Sequence, residues 1–209
     1  MDNIITYEGA PIFPIPASTA YAGFGIALEY SNSGEVEYTS FIHEISGNKV
    51  SAAAFVPSSG TSFEENPNYL IHCGIHVRSS PWIKVAGNEV TNAFRDFHFW
   101  ADNNNCDFRC NIMNHAEFGL SCQGAGSGSF TMGDQTQKGN QWTQTSYQLG
   151  AVAWQNSTTA VTSTSFDFLV NPEIDFNLPP SFLPPNWFIN DDGSPRCGSG
   201  TVVTEEVNG

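Results

Sequence analysis

Short runs of alternating apolar and polar residues, separated by turns rich in glycine, asparagine and proline, make up most of this chain. From Phe24 to Tyr30, and again from Tyr69 to Val77, every second residue is apolar. A period of two is that of an extended strand with one face on a core. No segment sustains the i, i+3, i+4, i+7 apolar pattern of an amphipathic helix over three turns. The sequence therefore predicts an all-β fold.

The turn signals predict how the strands are arranged. Residues 31–34 (Ser-Asn-Ser-Gly), Gly47-Asn48 and Gly87-Asn88 fall between alternating runs, as hairpin turns do. Roughly eight to ten short strands at this spacing, in a chain with 16 phenylalanines, favour an antiparallel β-sandwich or jelly-roll-like domain over an up-and-down barrel. No internal repeat is evident. We predict that residues 21–170 form this single domain.

Extended proline-rich arms are predicted at both ends, over residues 1–20 and 171–209. The second segment holds six of the chain's 12 prolines, and proline favours extended backbone. Both arms also carry large apolar side chains, which need a surface to cover them. That surface is either the chain's own domain or a neighbouring subunit. The predicted interface residues are Ile12, Phe13, Phe182, Leu183, Trp187 and Phe188.

The charge balance argues against two classes of partner. Lys and Arg number 7 against 21 Asp and Glu, for a formal net charge of -14. Such a surface repels nucleic-acid phosphates and anionic lipids. The sequence also lacks an apolar run of 18 residues and a recognisable secretory signal. We expect no nucleic acid, no membrane insertion and synthesis in the cytoplasm, with a virion or other extracellular particle as an alternative destination.

Four residues are candidate metal ligands, although no metal or other cofactor is the favoured prediction. His72 and His76 would project from one strand face about 13 Å apart, too far for one zinc ion unless a bulge at Gly74 brings them closer. Asp96 and His98 share a face of a later run and could meet the first pair across a sheet. The favoured interpretation is that these are polar residues on a solvated sheet face.

The five cysteines are odd in number and match neither a disulfide framework nor a zinc signature. Buried, reduced thiols are therefore predicted. Nor does any local motif for an activated nucleophile occur. We predict that the protein is not an enzyme.

Three functional hypotheses follow. The leading one is a non-enzymatic structural subunit that self-assembles as a homo-oligomer, or decorates a virion, tail or capsid-accessory particle, through its arms. The alternative is a carbohydrate- or receptor-binding module of lectin or toxin type, in which an exposed Trp142 would bind the ligand. The third is a metal-dependent enzyme that uses the histidines and Asp96.

Overall fold

The computed structural model describes part of the chain, and its described elements are all β-strands. The described residues are 4–7, 23–29, 43–52, 72–114, 118–124, 130–143, 149–154, 161–162, 164–174, 178–193 and 197. The strands are β1 (Ile4–Tyr7), β2 (Gly23–Glu29), β3 (His43–Ser46), β4 (Lys49–Ala52), β5 (His72–Arg78), β6 (Ile83–Ala86), β7 (Glu89–Thr91), β8 (Arg95–Trp100), β9 (Asp107–Arg109), β10 (Ile112–Asn114), β11 (Phe118–Gln123), β12 (Gln135–Thr136), β13 (Gln141–Trp142), β14 (Leu149–Trp154), β15 (Phe168–Val170), β16 (Phe182–Leu183) and β17 (Phe188–Asn190). Within these ranges no helix is long and apolar enough to cross a membrane.

The strands stack into parallel sheets. The long sheet has the order β2-β5-β8-β11-β14-β16, and a second sheet has the order β1-β4-β7-β10-β13. The third side holds β3-β6-β9 followed by β12-β15-β17. All pairings between described strands are parallel.

Each circuit of the chain forms one rung of a solenoid. From β5 in the long sheet the chain passes through β6 on the third side and β7 in the second sheet, and then returns to the long sheet as β8. Ile75 consequently pairs with Phe97, 22 positions later, and Phe97 pairs with Leu120, 23 positions later. The architecture is a parallel β-helix, in which strands adjacent in sequence lie on different sides.

The core lies inside the solenoid and consists of apolar rows, one residue from each rung. The inward row of the long sheet contains Ile26, Ile75, Phe97, Leu120, Ala151 and Phe182. The row of the second sheet contains Val50, Val90, Met113 and Trp142. Alternation within each strand supplies one inward side chain per pair of residues, and stacking then buries it against the same position of the next rung.

An asparagine ladder lies at the corner between the third side and the second sheet. Asn88 donates an amide hydrogen bond to Asn111 Oδ1 at 3.0 Å, and Asn111 donates one to Asn140 Oδ1 at 3.0 Å. Asn48 donates likewise to Asn88 Oδ1 at 2.9 Å. The same Oδ1 atoms also accept from backbone N–H groups of the preceding rung. The ladder thus satisfies polar groups that would otherwise be buried without partners.

The residue before each ladder asparagine has a left-handed backbone. Gly47, Gly87 and Gly139 have φ near +65°, and Cys110 takes the same conformation with φ of 57°. Only glycine adopts this conformation without a steric cost, so Cys110 is the exception. Its sulfur is bonded to Cys197.

The predicted antiparallel sandwich is wrong. The structure has seventeen described strands rather than eight to ten, and they pair in parallel with the preceding and following rungs. The turns at Gly47-Asn48 and Gly87-Asn88 were located correctly, but they are corners that lead to another side. Alternation specifies which side chains face inward; it does not specify the direction of the neighbouring strand, which is why the prediction failed.

The internal repeat was missed as well. Asparagine preceded by glycine or cysteine recurs at 48, 88, 111 and 140, and the second residue after it is always large and apolar. The spacing varies between 23 and 40 residues, because the number of residues between successive corners differs from rung to rung. A search for a fixed period therefore does not find it.

The described part of the second proline-rich segment belongs to the solenoid. β16 pairs with β14, and β17 pairs with β15. Trp187 is fully buried in the core, where its ring packs edge-on against Phe166 and Phe168. The predicted interface residues Ile12 and Phe13 lie outside the described residues.

Candidate polar site on the long sheet

The outward face of the long sheet carries a second row, whose polar members are buried. Backbone pairing aligns Ala27, His76, His98, Ser121, Val152 and Leu183. His76 is 1% exposed, His98 2% and Ser121 0%. These side chains point away from the apolar core, yet water does not reach them. They do not form the solvated face that the sequence analysis favoured.

Three potential metal ligands converge in this row. His76 Nδ1 lies 3.1 Å from His98 Nδ1, and Cys73 Sγ lies 3.7 Å from the same His98 atom. The three ligand atoms all lie within 4.8 Å of one another. β5 supplies Cys73 and His76, and β8 supplies His98.

A break in the alternation of β5 brings Cys73 and His76 to the same face although they are three residues apart. A Cβ atom on Gly74 would collide with the core side chain of Val90 and lie 2.9 Å from the carbonyl oxygen of Asp96. Gly74 therefore faces inward, as does Ile75. The site depends on a glycine at this position, because a larger residue would not fit between the rungs.

Arg95 and Gln123 extend the polar network. Arg95 Nη1 lies 3.1 Å from His98 Nε2 and 3.5 Å from Gln123 Oε1. Arginine can only donate, so this contact uses the lone pair of Nε2 and places the proton of His98 on Nδ1. On the other side, His76 Nε2 lies 3.4 Å from Glu29 Oε1.

Burial favours the neutral forms of the two imidazoles and of the Cys73 thiol. Desolvation first, and then the charges of Arg78 and Arg95, lower the pKa of His76 to about 4. Desolvation, followed by Arg95, lowers the pKa of His98 well below its usual range. Desolvation raises the pKa of the Cys73 thiol to about 12. Both imidazoles therefore offer neutral nitrogen lone pairs at neutral pH.

The structure brings together two of the four predicted metal ligands. His76 and His98 meet across β5 and β8, whereas Asp96 is not part of the cluster. The Asp96 carboxyl is fully buried; desolvation raises its pKa well above the usual range, against opposing effects of the Asn114 and Ala93 backbones. The side chain of His72 lies outside the described residues.

Cys73 and Arg95 are site residues that the sequence analysis missed. Aligning the rungs on the corner asparagines Asn88 and Asn111 gives an offset of 23 residues, whereas Cys73 pairs with Arg95 and His76 with His98 at an offset of 22. Without a recognised repeat, residues 22 positions apart gave no signal of contact.

Two other predictions are corrected by burial and bonding. Trp142, predicted to be an exposed ligand-binding residue, is 2% exposed and donates its indole N–H to Gly150 O at 2.7 Å inside the core. Its ring cannot stack on a sugar there. Cys110 and Cys197 are disulfide-bonded, whereas Cys73, Cys106 and Cys122 are free and buried as predicted.

Comparisons with family models, with curated proteins and with solved structures found no match for this chain.

Proposed function

We propose that this chain is a non-enzymatic structural subunit that assembles with copies of itself, or with neighbouring subunits, into a larger particle of virion, tail or capsid-accessory type. The support is architectural. A solenoid is stabilised by the contact of each rung with the next, and its terminal rungs present strand edges that can continue the stack. The observation that carries the proposal is the outer edge of β17, with which no described strand other than β15 pairs.

The backbone of β17 shows which groups form this edge. Phe168 N donates to Trp187 O, and Asp191 N donates to Val170 O. The C=O group of Trp187 and the N–H group of Asp191 therefore point toward β15. In a parallel ladder the alternate residues, Phe188 and Asn190, direct their N–H and C=O groups to the opposite side. In the described part of the chain, β15 is the only strand that pairs with β17.

The neighbouring side chain adds apolar surface. Among the described residues, Ile189 is the large hydrophobic residue that is exposed, to 43%. An edge whose hydrogen-bonding groups pair with no described strand, and which carries an apolar side chain, favours addition of another strand. Assembly is thus proposed through the end of the solenoid. Trp187 and Phe188, which the sequence analysis placed at an interface, are buried in the core and fill the last rungs instead.

A proline substitution at the edge tests the proposal. Asn190→Pro removes the outward N–H of β17 and places a ring where the next strand would pair, and edge strands tolerate proline. Asn190→Ala is the matched control, because it removes the same side chain and keeps the N–H. We expect oligomers of the intact protein by size-exclusion chromatography with light scattering, ordered particles or filaments by electron microscopy, and association weakened at least about tenfold in Asn190→Pro alone.

Two outcomes would contradict this function. One is an intact chain that stays monomeric at high concentration. The other is equal association of the proline and alanine variants, which would show that the β17 edge takes no part.

A further inference from the structure

We infer that Cys73, His76 and His98 form a zinc site that joins β5 to β8. This inference goes beyond the proposed structural role and does not depend on it, since the site lies on the outward face of the long sheet and the proposed assembly edge lies on the third side.

Two of the three separations between ligand atoms are close to those of a tetrahedral zinc centre. Zinc binds histidine nitrogen at about 2.0–2.1 Å and cysteine sulfur at about 2.3 Å, so tetrahedral angles place two nitrogens about 3.4 Å apart and nitrogen about 3.6 Å from sulfur. The observed Nδ1 to Nδ1 distance is 3.1 Å, and the Sγ to Nδ1 distance is 3.7 Å. The third pair, Cys73 with His76, lies within 4.8 Å. Seating the ion would therefore require these two ligand atoms to approach by up to about 1.2 Å, the difference between 4.8 and 3.6 Å.

The donor set selects the kind of metal. One thiolate and two imidazoles suit zinc, whereas calcium and magnesium require oxygen ligands. Both imidazoles are neutral before the metal binds. Once His98 carries its proton on Nε2, neither ligating nitrogen holds a proton that zinc would have to displace. The Cys73 thiol loses its proton to solvent when the sulfur binds. The three protein ligands leave one tetrahedral position for water or an anion.

Gln123 can hold His98 in the tautomer that the metal needs. Ligation through Nδ1 puts the proton of His98 on Nε2, where the 3.1 Å contact with Arg95 can no longer be a donation from arginine. A side-chain hydrogen bond with Gln123 raises the pKa of His98, against the larger lowering by desolvation. Gln123 Oε1, which lies 3.5 Å from Arg95 Nη1, is an acceptor that can receive such a donation from the ring. Such outer partners commonly orient metal-bound histidines.

The competing explanation is a metal-free hydrogen bond between the two imidazoles. A distance of 3.1 Å also fits His98 Nδ1–H donating to His76 Nδ1. The two explanations differ in the part played by Cys73. In the hydrogen-bonded pair its thiol is a neighbour, whereas in the zinc site it is a ligand whose loss breaks the centre.

Metal titration of the full chain separates the two explanations. We expect one equivalent of Zn²⁺ to bind the purified protein after chelator treatment and dialysis. Co²⁺ in its place should give the intense visible bands of a tetrahedral site and a thiolate-to-cobalt charge-transfer band. The Cys73→Ala variant should lose more than about 100-fold in Zn²⁺ affinity, beyond the loss that changes in outer partners cause.

Cys122→Ala is the matched control, because it also removes a buried free thiol from the long sheet, but from the apolar core. It should bind Zn²⁺ as the unmodified chain does. If Cys73→Ala does not fold, the cobalt spectrum of the unmodified chain decides alone. Absence of stoichiometric zinc, absence of the thiolate band, or equal loss of affinity in the two variants would each overturn the inference.

Discussion

Two rows of buried polar side chains run from rung to rung, and they differ in whether the residue repeats. At the corner the row is Asn48, Asn88, Asn111 and Asn140. On the long sheet the row runs from Ala27 through His76, His98 and Ser121 to Val152, and the residue type changes at every step except between the two histidines. Stacking requires the same amide in the corner because each asparagine donates to a copy of itself. Stacking places no such requirement on the outward row of the long sheet, so the two histidines there belong to two particular rungs.

Removal of an amide from the middle of the corner row should have the largest effect. Asn111 Nδ2 donates to Val85 O at 2.8 Å, and Asn111 Oδ1 accepts from the Asn88 backbone N–H at 3.1 Å. Asn111→Ala leaves the Val85 carbonyl oxygen and the Asn88 backbone N–H buried without these hydrogen bonds, which costs about 1–3 kcal/mol of stability for each group. We expect the free energy of unfolding, measured by urea denaturation, to fall by about 3–5 kcal/mol.

An exposed asparagine provides the control for this measurement. Asn104→Ala removes a surface amide that contacts only its own turn and should change stability by less than about 0.5 kcal/mol. A similar small loss in Asn111→Ala would mean that the corner row does not stabilise the stack.

Loss of the disulfide at the same corner should cause the next largest loss of stability. Cys110 occupies the left-handed position before Asn111, and its bond to Cys197 spans 87 residues. Cross-links that close long loops destabilise the unfolded chain, so Cys197→Ser should lose about 2–4 kcal/mol. Differential scanning calorimetry with and without a reductant checks this.

The reductant supplies the internal control. It should lower the melting temperature of the unmodified chain to that of Cys197→Ser and leave the variant unchanged. A variant that melts at the same temperature as the oxidised chain would contradict the prediction.

Deletion of a polar group from the outward row of the long sheet should have the smallest effect on stability. Ser121 Oγ is buried, and no hydrogen-bond partner for it occurs among the described residues. Ser121→Ala removes this unsatisfied hydroxyl, so we expect no loss of stability and a gain below about 1 kcal/mol. The same urea measurement tests it beside Asn111→Ala. A loss above about 1 kcal/mol would show that the two rows are energetically alike.

Parts of the fold were predictable from short-range pattern alone. Alternation in residues 24–30 and 69–77 indicated strands, and the Gly-Asn pairs at 47–48 and 87–88 indicated sharp changes of chain direction. Both signals are local, because they depend on side-chain direction and on backbone conformations open to glycine. Neither specifies whether the next strand returns alongside its predecessor or turns to another side.

The candidate site was less predictable than the fold. His76 and His98 were identified as residues that could meet, but Cys73, Arg95 and Gln123 were not. Their proximity depends on a register of 22 to 23 residues between rungs and on the break at Gly74. Alternation with a period of two residues carries no information about the register or about the break.

By itself, the sequence determined an all-strand chain, the positions of its corners and the acidic charge that argues against nucleic-acid partners. Only the tertiary structure decided that the strands stack in parallel, that Trp142 and Trp187 fill the core, and that Cys73, His76 and His98 lie together. The physical reason is that turn and strand preferences act between near neighbours in the chain. Rung-to-rung contacts join residues more than 20 positions apart, and they form only when many weak pairings are satisfied at once.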